Sequence, residues 1–128
     1  MDAYTWRYND GEFELDMRDV EQVERYENAV ELLRKEDGEI ESGLKASERL
    51  RAQCGCIERF FERVFGRADV ARTLFGERLN LGEHNDAYFA LLEFVAAQGE
   101  AEQKRIAEKM SSYMARAAKA KAKGRVEK

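Results

Sequence analysis

No proline occurs in the 128 residues, histidine occurs once, cysteine only twice, and no apolar run approaches the length that spans a bilayer. Without proline no residue lacks the backbone N–H a helix needs, and with alanine, glutamate, arginine and lysine abundant the composition favours long helices. A lone histidine, His84, rules out a histidine pair for metal or a histidine relay. Two cysteines cannot build a disulfide framework. The opening Met1-Asp2-Ala3-Tyr4 has neither the basic start nor the apolar stretch of a secretory signal, so the expected compartment is the cytosol.

What is present is charge and aromatic bulk. Charged residues make up 38% and hydrophobic ones 44%, with seven Phe, five Tyr and one Trp to form the single modest core expected of this length. The charge is unevenly placed. Residues 115–128 hold six basic residues (Arg116, Lys119, Lys121, Lys123, Arg125, Lys128) against Glu127, a net +5 that leaves −9 for residues 1–114 out of the chain's −4. The expected organisation is one domain over 1–114, followed by a basic tail over 115–128 that is either a fraying helix end or a flexible extension.

The fold class expected is mainly α: an N-terminal β-hairpin packed on three main helices and one short one. Tyr4, Trp6 and Tyr8 alternate with polar residues, as do Phe13, Leu15 and Met17. If Asp10-Gly11 is the two-residue turn, with Gly11 at the required positive φ, Tyr8 faces Phe13, Trp6 faces Leu15 and Arg7 faces Glu14. A first helix, capped by Asp16, carries Val20, Val23, Tyr26, Val30 and Leu33 and stops at Asp37-Gly38. A second follows the stripe Ile40, Leu44, Ser47, Leu50, Cys54, Ile57, Phe61, Val64 and ends at Gly66. A short helix lies between Phe65-Gly66 and Phe75-Gly76. Asn80 with Glu83 then forms a capping box for a last helix, whose first half (Ala87, Tyr88, Leu91, Leu92, Phe94, Val95) belongs in the core. After Gly99 the apolar stripe thins to Ile106, Met110, Tyr113 and Met114. That face either packs on the second helix, forms a homo-oligomer, or meets a protein partner; methionines suit an adaptable contact.

Candidate chemistry is sparse. His84, beside Asn85 and Asp86, is expected as a surface or capping residue, since no nucleophile is marked out near it. Cys54 and Cys56 are two apart on a helix, so their thiols point apart, with Cys54 on the core stripe. The acidic clusters around Glu36-Asp37 and Glu39 to Glu41 lack the spacing of a calcium loop, and the glycines fit neither a phosphate loop nor a dinucleotide fingerprint. No catalytic residue, metal ligand or cofactor is expected. The Ala-Lys tail lacks aromatics for base stacking, which argues against nucleic acid as the partner.

Several stretches taken together carry a resemblance: Tyr4-Thr5-Trp6-Arg7-Tyr8-Asn9-Asp10-Gly11-Glu12-Phe13-Glu14-Leu15-Asp16, Glu24-Arg25-Tyr26-Glu27-Asn28-Ala29, the double Phe-Gly segment, and Asn80-Leu81 through Ala87-Tyr88 to Glu93-Phe94-Val95. Over about residues 4–99 the chain resembles a family of short, uncharacterised proteins of Firmicutes tailed phages and prophages. The resemblance implies a non-enzymatic protein of the host bacterial cytoplasm that acts by protein–protein binding, in the manner of a tail-assembly chaperone holding a tape-measure protein. The alternative it implies is an accessory protein that binds and inhibits a host defence component.

Overall fold

A computed structural model of the chain describes residues 2–126, with side chains through Gly124. The order is β1 (Thr5–Tyr8), β2 (Gly11–Glu14), α1 (Val20–Gly38), α2 (Ala46–Phe65), α3 (Val70–Phe75) and α4 (Leu81–Val126). This is the expected class, mainly helical with a two-stranded antiparallel N-terminal hairpin. Contacts divide the chain into two compact units, Met1–Val95 and Ala96–Lys128, each described by itself below.

In the first unit the hairpin keeps the expected faces but not the expected register. Trp6 pairs with Phe13, Arg7 with Glu12 and Tyr8 with Gly11, so the turn is Asn9-Asp10, and the pairing moves by two residues. A shift of two preserves which side chains face inward. The positive φ falls on Asn9, at 44°, and not on Gly11. Asparagine tolerates that region better than other side chains, and here the Gly11 N–H also donates to the Asn9 carbonyl. The Asn9 side chain gains a second function by donating to the Leu74 carbonyl at 2.7 Å, which ties the turn to α3. Gly11 is required for a different reason: a Cβ there would lie 2.5 Å from Phe13 Cε2 and 3.0 Å from Thr73 Cγ2. On the outer face Arg7 pairs with Glu12 at 3.0 Å, where Glu14 was expected.

The inner face carries Trp6, which is 4% exposed, beside Phe13 and Leu15. Trp6 stacks on Phe61 (5.7 Å between centroids, 3° between planes) and on Phe65 (6.0 Å, 7°), so the last two turns of α2 cover the hairpin. An isolated two-stranded hairpin is only marginally stable, and this aromatic stack supplies what it lacks.

The helix boundaries show where periodicity misled. The α2 stripe does not begin at Ile40, because Gly43 has φ 90° and breaks the chain between the two helices. Leu50 is exposed and Ser47 is too; burial on α2 begins at Cys54 and continues through Ile57, Phe60, Phe61, Val64 and Phe65. Gly66 ends the helix as expected, in the left-handed conformation (φ 64°), with its N–H and that of Arg67 bonding to the Glu62 carbonyl. Asp16 does not cap α1, whose N-cap is Asp19. Its carboxylate accepts instead from the Arg18 backbone N–H (2.9 Å) and guanidinium, which turns the chain from β2 into the helix. Tyr26 of α1 meets Phe60 edge-on at 6.4 Å, and Glu36 near its end accepts from Arg59 and Arg63 of α2 at 3.0–3.2 Å. These guanidiniums, the Arg63 hydrogen bonds first, hold the Glu36 carboxyl below its usual range.

The start of α4 is capped by the Asn80 side chain, which accepts from the Glu83 N–H at 3.0 Å. The Glu83 carboxylate turns to Arg78 (2.8 Å). Ala87 and Leu91 are buried, and Tyr88, Phe94 and Val95 pack against the core. The second unit is the rest of this helix. From Gly99 to Gly124 every residue is exposed except the half-buried Glu102, and no apolar side chain from Ala96 to Gly124 is buried.

Candidate functional site

Four places collect the residues that could act: a buried histidine, a pair of buried thiols, a cleft beside the hairpin and an exposed helix face.

His84 is not on the surface. It is fully buried, stacked on Phe75 with ring centroids 3.7 Å apart and planes 8° off parallel. Its Nδ1 lies 2.8 Å from the Asn80 carbonyl and its Nε2 lies 2.8 Å from Glu58 Oε2. The Asn80 carbonyl also accepts the His84 backbone N–H at 3.0 Å. Both ring nitrogens lie within hydrogen-bond distance of an oxygen, so neither is left unpaired in the core. This node joins α2 to the first turn of α4 and brings the end of α3 against the ring. Its setting is that of a fastener: stacked, enclosed and saturated, it presents no free atom to a substrate. The sequence signal was weak, because Asn80 and His84 are one turn apart but Glu58 is 26 residues away.

Cys54 and Cys56 are both buried and both free. Burial raises each thiol above its ordinary range, and Arg59, whose guanidinium lies 3.7 Å from Cys56 Sγ, only partly offsets this for Cys56. Although the two residues stand two apart on the helix, neither side chain reaches solvent. Among the described residues no group of three or more His, Cys, Asp or Glu is arranged to hold a metal ion.

A cleft of about 530 Å³ opens between the hairpin, α1 and the end of α2, with Arg7, Arg25 and Arg67 beside Glu12, Glu14 and Phe13. Its charges are largely spent on neighbours: Arg7 on Glu12, and Arg67 on Asp69 at 2.7 Å.

Ile106, Met110, Tyr113 and Met114 stand on one stretch of α4 at 50%, 54%, 60% and 60% exposure. They are the largest apolar side chains of the second unit, and successive spacings of four, three and one bring them to one side of the helix. Arg116, Lys119, Lys121 and Lys123 follow, all exposed; the side chain of Arg125 and residues Glu127 and Lys128 lie outside the described residues. Arg105 pairs with Glu102 one turn back, with Nε 3.1 Å from the carboxylate. This face can offer dispersion and apolar burial to another surface, with a cationic end to orient it.

Fold and surface together describe a helical protein with an aromatic hairpin cap and a long terminal helix that leaves its apolar stripe uncovered. The chain belongs to a family of unknown function, DUF6673, whose profile matches residues 9–128. That match takes in the whole of the terminal helix, including the part beyond Gly99. Comparison with curated proteins and with solved structures finds no match. Among the described residues no helix is long and apolar enough to cross a membrane.

Proposed function

We propose that this chain is a non-enzymatic binding protein of a tailed phage or prophage, working in the host cytoplasm during tail assembly as a chaperone for a tape-measure protein. The observation that carries the reading is the exposed stripe Ile106, Met110, Tyr113 and Met114 on a helix with no buried apolar side chain from Ala96 to Gly124. Helices in proteins draw most of their stability from packing an apolar face, and such a face left open is a ready contact for another helix. A tape-measure protein, long and rich in helical apolar stripes, supplies matching surface. Two methionines let the contact adapt to successive segments of such a target. The tail-assembly role itself comes from the resemblance over residues 4–99.

The test is co-expression with a tape-measure protein from the same phage or prophage, measuring its soluble fraction and its co-purification. The reading expects both to fall sharply with Ile106→Glu/Met110→Glu, because charges would enter a desolvated contact. Unchanged solubility and co-purification would overturn it.

A further inference from the structure

The second unit carries a pattern finer than an apolar stripe. Gln103, Ile106, Met110, Tyr113, Ala117, Ala120 and Gly124 follow one another at alternating spacings of three and four, and Ala96 and Gly99 extend the series backwards. That is the seven-residue repeat of a two-helix seam. Every one of these positions is exposed.

We propose that this seam binds a second copy of the chain, the two terminal helices lying antiparallel about a two-fold axis near residue 108. The proposal rests on the reading that the stripe is a binding face: the second copy covers it in the free protein, and a tape-measure protein takes that copy's place.

Two features select the second copy. The first is size. About residue 108 the seam is nearly a palindrome: Ile106 falls opposite Met110 of the second copy, Gln103 opposite its Tyr113, Gly99 opposite its Ala117 and Ala96 opposite its Ala120. Large side chains meet in the middle and small ones let the backbones approach at both ends. A self-complementary patch of this kind closes on itself as a dimer. The second is charge. The positions flanking the seam are acidic early, at Glu100 and Glu102, and basic later, at Lys109, Arg116, Lys121 and Lys123. A parallel pair would set Arg116, Lys121 and Lys123 against their own copies. The antiparallel pair separates the two basic ends and brings Glu102 diagonally across the seam from Arg116 of the second copy, so charge fixes direction where size alone allows both.

The experiment uses the full chain. Light scattering after size exclusion should give a dimer at 100 µM (a concentration of about this order suits a seam with few large side chains), and Ile106→Glu/Met110→Glu should raise the dissociation constant at least about 10-fold. Because that variant alters apolar residues, a second pair leaves them alone: Arg116→Glu should weaken the dimer about threefold, and Glu102→Lys added to it should restore it. Direction is read with a spin label on Lys123→Cys, the native thiols being buried. Antiparallel helices place the labels about 45 Å apart, from 30 residues at 1.5 Å each, whereas parallel helices bring them within about 20 Å. A wild-type monomer, a dimer indifferent to both variant pairs, or a short label distance overturns the proposal. If the wild type is monomeric yet co-purification of the tape-measure protein still depends on Ile106 and Met110, this inference falls and the chaperone reading stands. If the dimer forms as described and co-purification ignores those residues, the chaperone reading falls alone.

Discussion

Residues up to Val95 and residues from Ala96 onward are both mostly helix, yet the two stretches hold their helices by different means. In the first, α1 to α3 and the start of α4 surround Trp6, Phe13, Phe60, Phe61 and Leu91, all buried, and the loops are fixed by side chains that reach across sequence, such as Asn9 to Leu74 and His84 to Glu58. In the second, no apolar side chain from Ala96 to Gly124 is buried, and the helix stands on alanine content, on intrahelical pairs such as Glu102 with Arg105, and on lysines near its C-terminal end that complement the helix dipole. Packing specifies the first region to single side chains. Propensity specifies only that the second is helical, and leaves its surface free to be shaped by a partner.

The contrast can be broken most forcefully at the aromatic stack. Trp6→Ala should destabilise the first unit by about 3–5 kcal/mol, because it empties a cavity lined by Phe13, Phe61 and Phe65. Urea unfolding followed by aromatic fluorescence or circular dichroism checks this, and a loss below 1 kcal/mol would mean that the hairpin is not held by its ring contacts. Next comes His84→Ala, expected to cost about 2–4 kcal/mol by removing the stack on Phe75 and leaving Glu58 without its buried hydrogen-bond partner. The same denaturation experiment with an unshifted midpoint would show that the node fastens nothing.

Glycine-to-alanine changes act with opposite sign in the two regions. Gly11→Ala should destabilise by about 1–3 kcal/mol, since its Cβ would collide with the Phe13 ring. Gly99→Ala, with no heavy atom within 4 Å of the added carbon, should stabilise its helix by about 0.5–1 kcal/mol. Hydrogen exchange of the flanking amides reads both signs, and equal signs would erase the distinction drawn here.

The smallest effect belongs to Glu36. Its carboxyl sits below the usual 4.5 because Arg63 and then Arg59 hydrogen-bond it, so the stability it lends is present above that pH and is lost as the pH falls through the lowered folded value. Wild type should exceed Glu36→Gln by about 1 kcal/mol at pH 7, discounted for partial exposure, and the two should converge well below pH 4.5. A gap that persists in strong acid would assign the effect to shape and not to charge.

Local signals were legible where one side chain decides the matter. Gly66 as a left-handed cap, Asn80 as an N-cap, the short helix between the Phe-Gly pairs and the alternating hairpin faces all follow from the sequence by short-range physics. The hairpin register was not legible, because Asn9-Asp10 and Asp10-Gly11 both make acceptable turns. What decides between them is the distant Leu74 carbonyl and the Phe13 ring that leaves Gly11 no room for a side chain. His84 was misplaced for the same reason, its partners Glu58 and Phe75 lying on other helices. The early α2 stripe from Ile40 to Leu50 shows the opposite failure, a helical period that continues where no core waits to receive it. The four residues of the terminal stripe were visible by spacing, whereas their extension into a seven-residue repeat was hidden by Gly99, Ala117 and Ala120, which add little hydrophobicity to the pattern.

A helix from Ala96 onward that is held from outside its own chain gains protection only as a partner binds. Amide hydrogen exchange of the full-length protein across a concentration series tests this most directly. Protection across residues 100–124 should rise as concentration increases from about 1 to 100 µM, while protection of α2 and of the start of α4 stays constant. Exchange over 100–124 that is the same at every concentration, whether fast or slow, would contradict it.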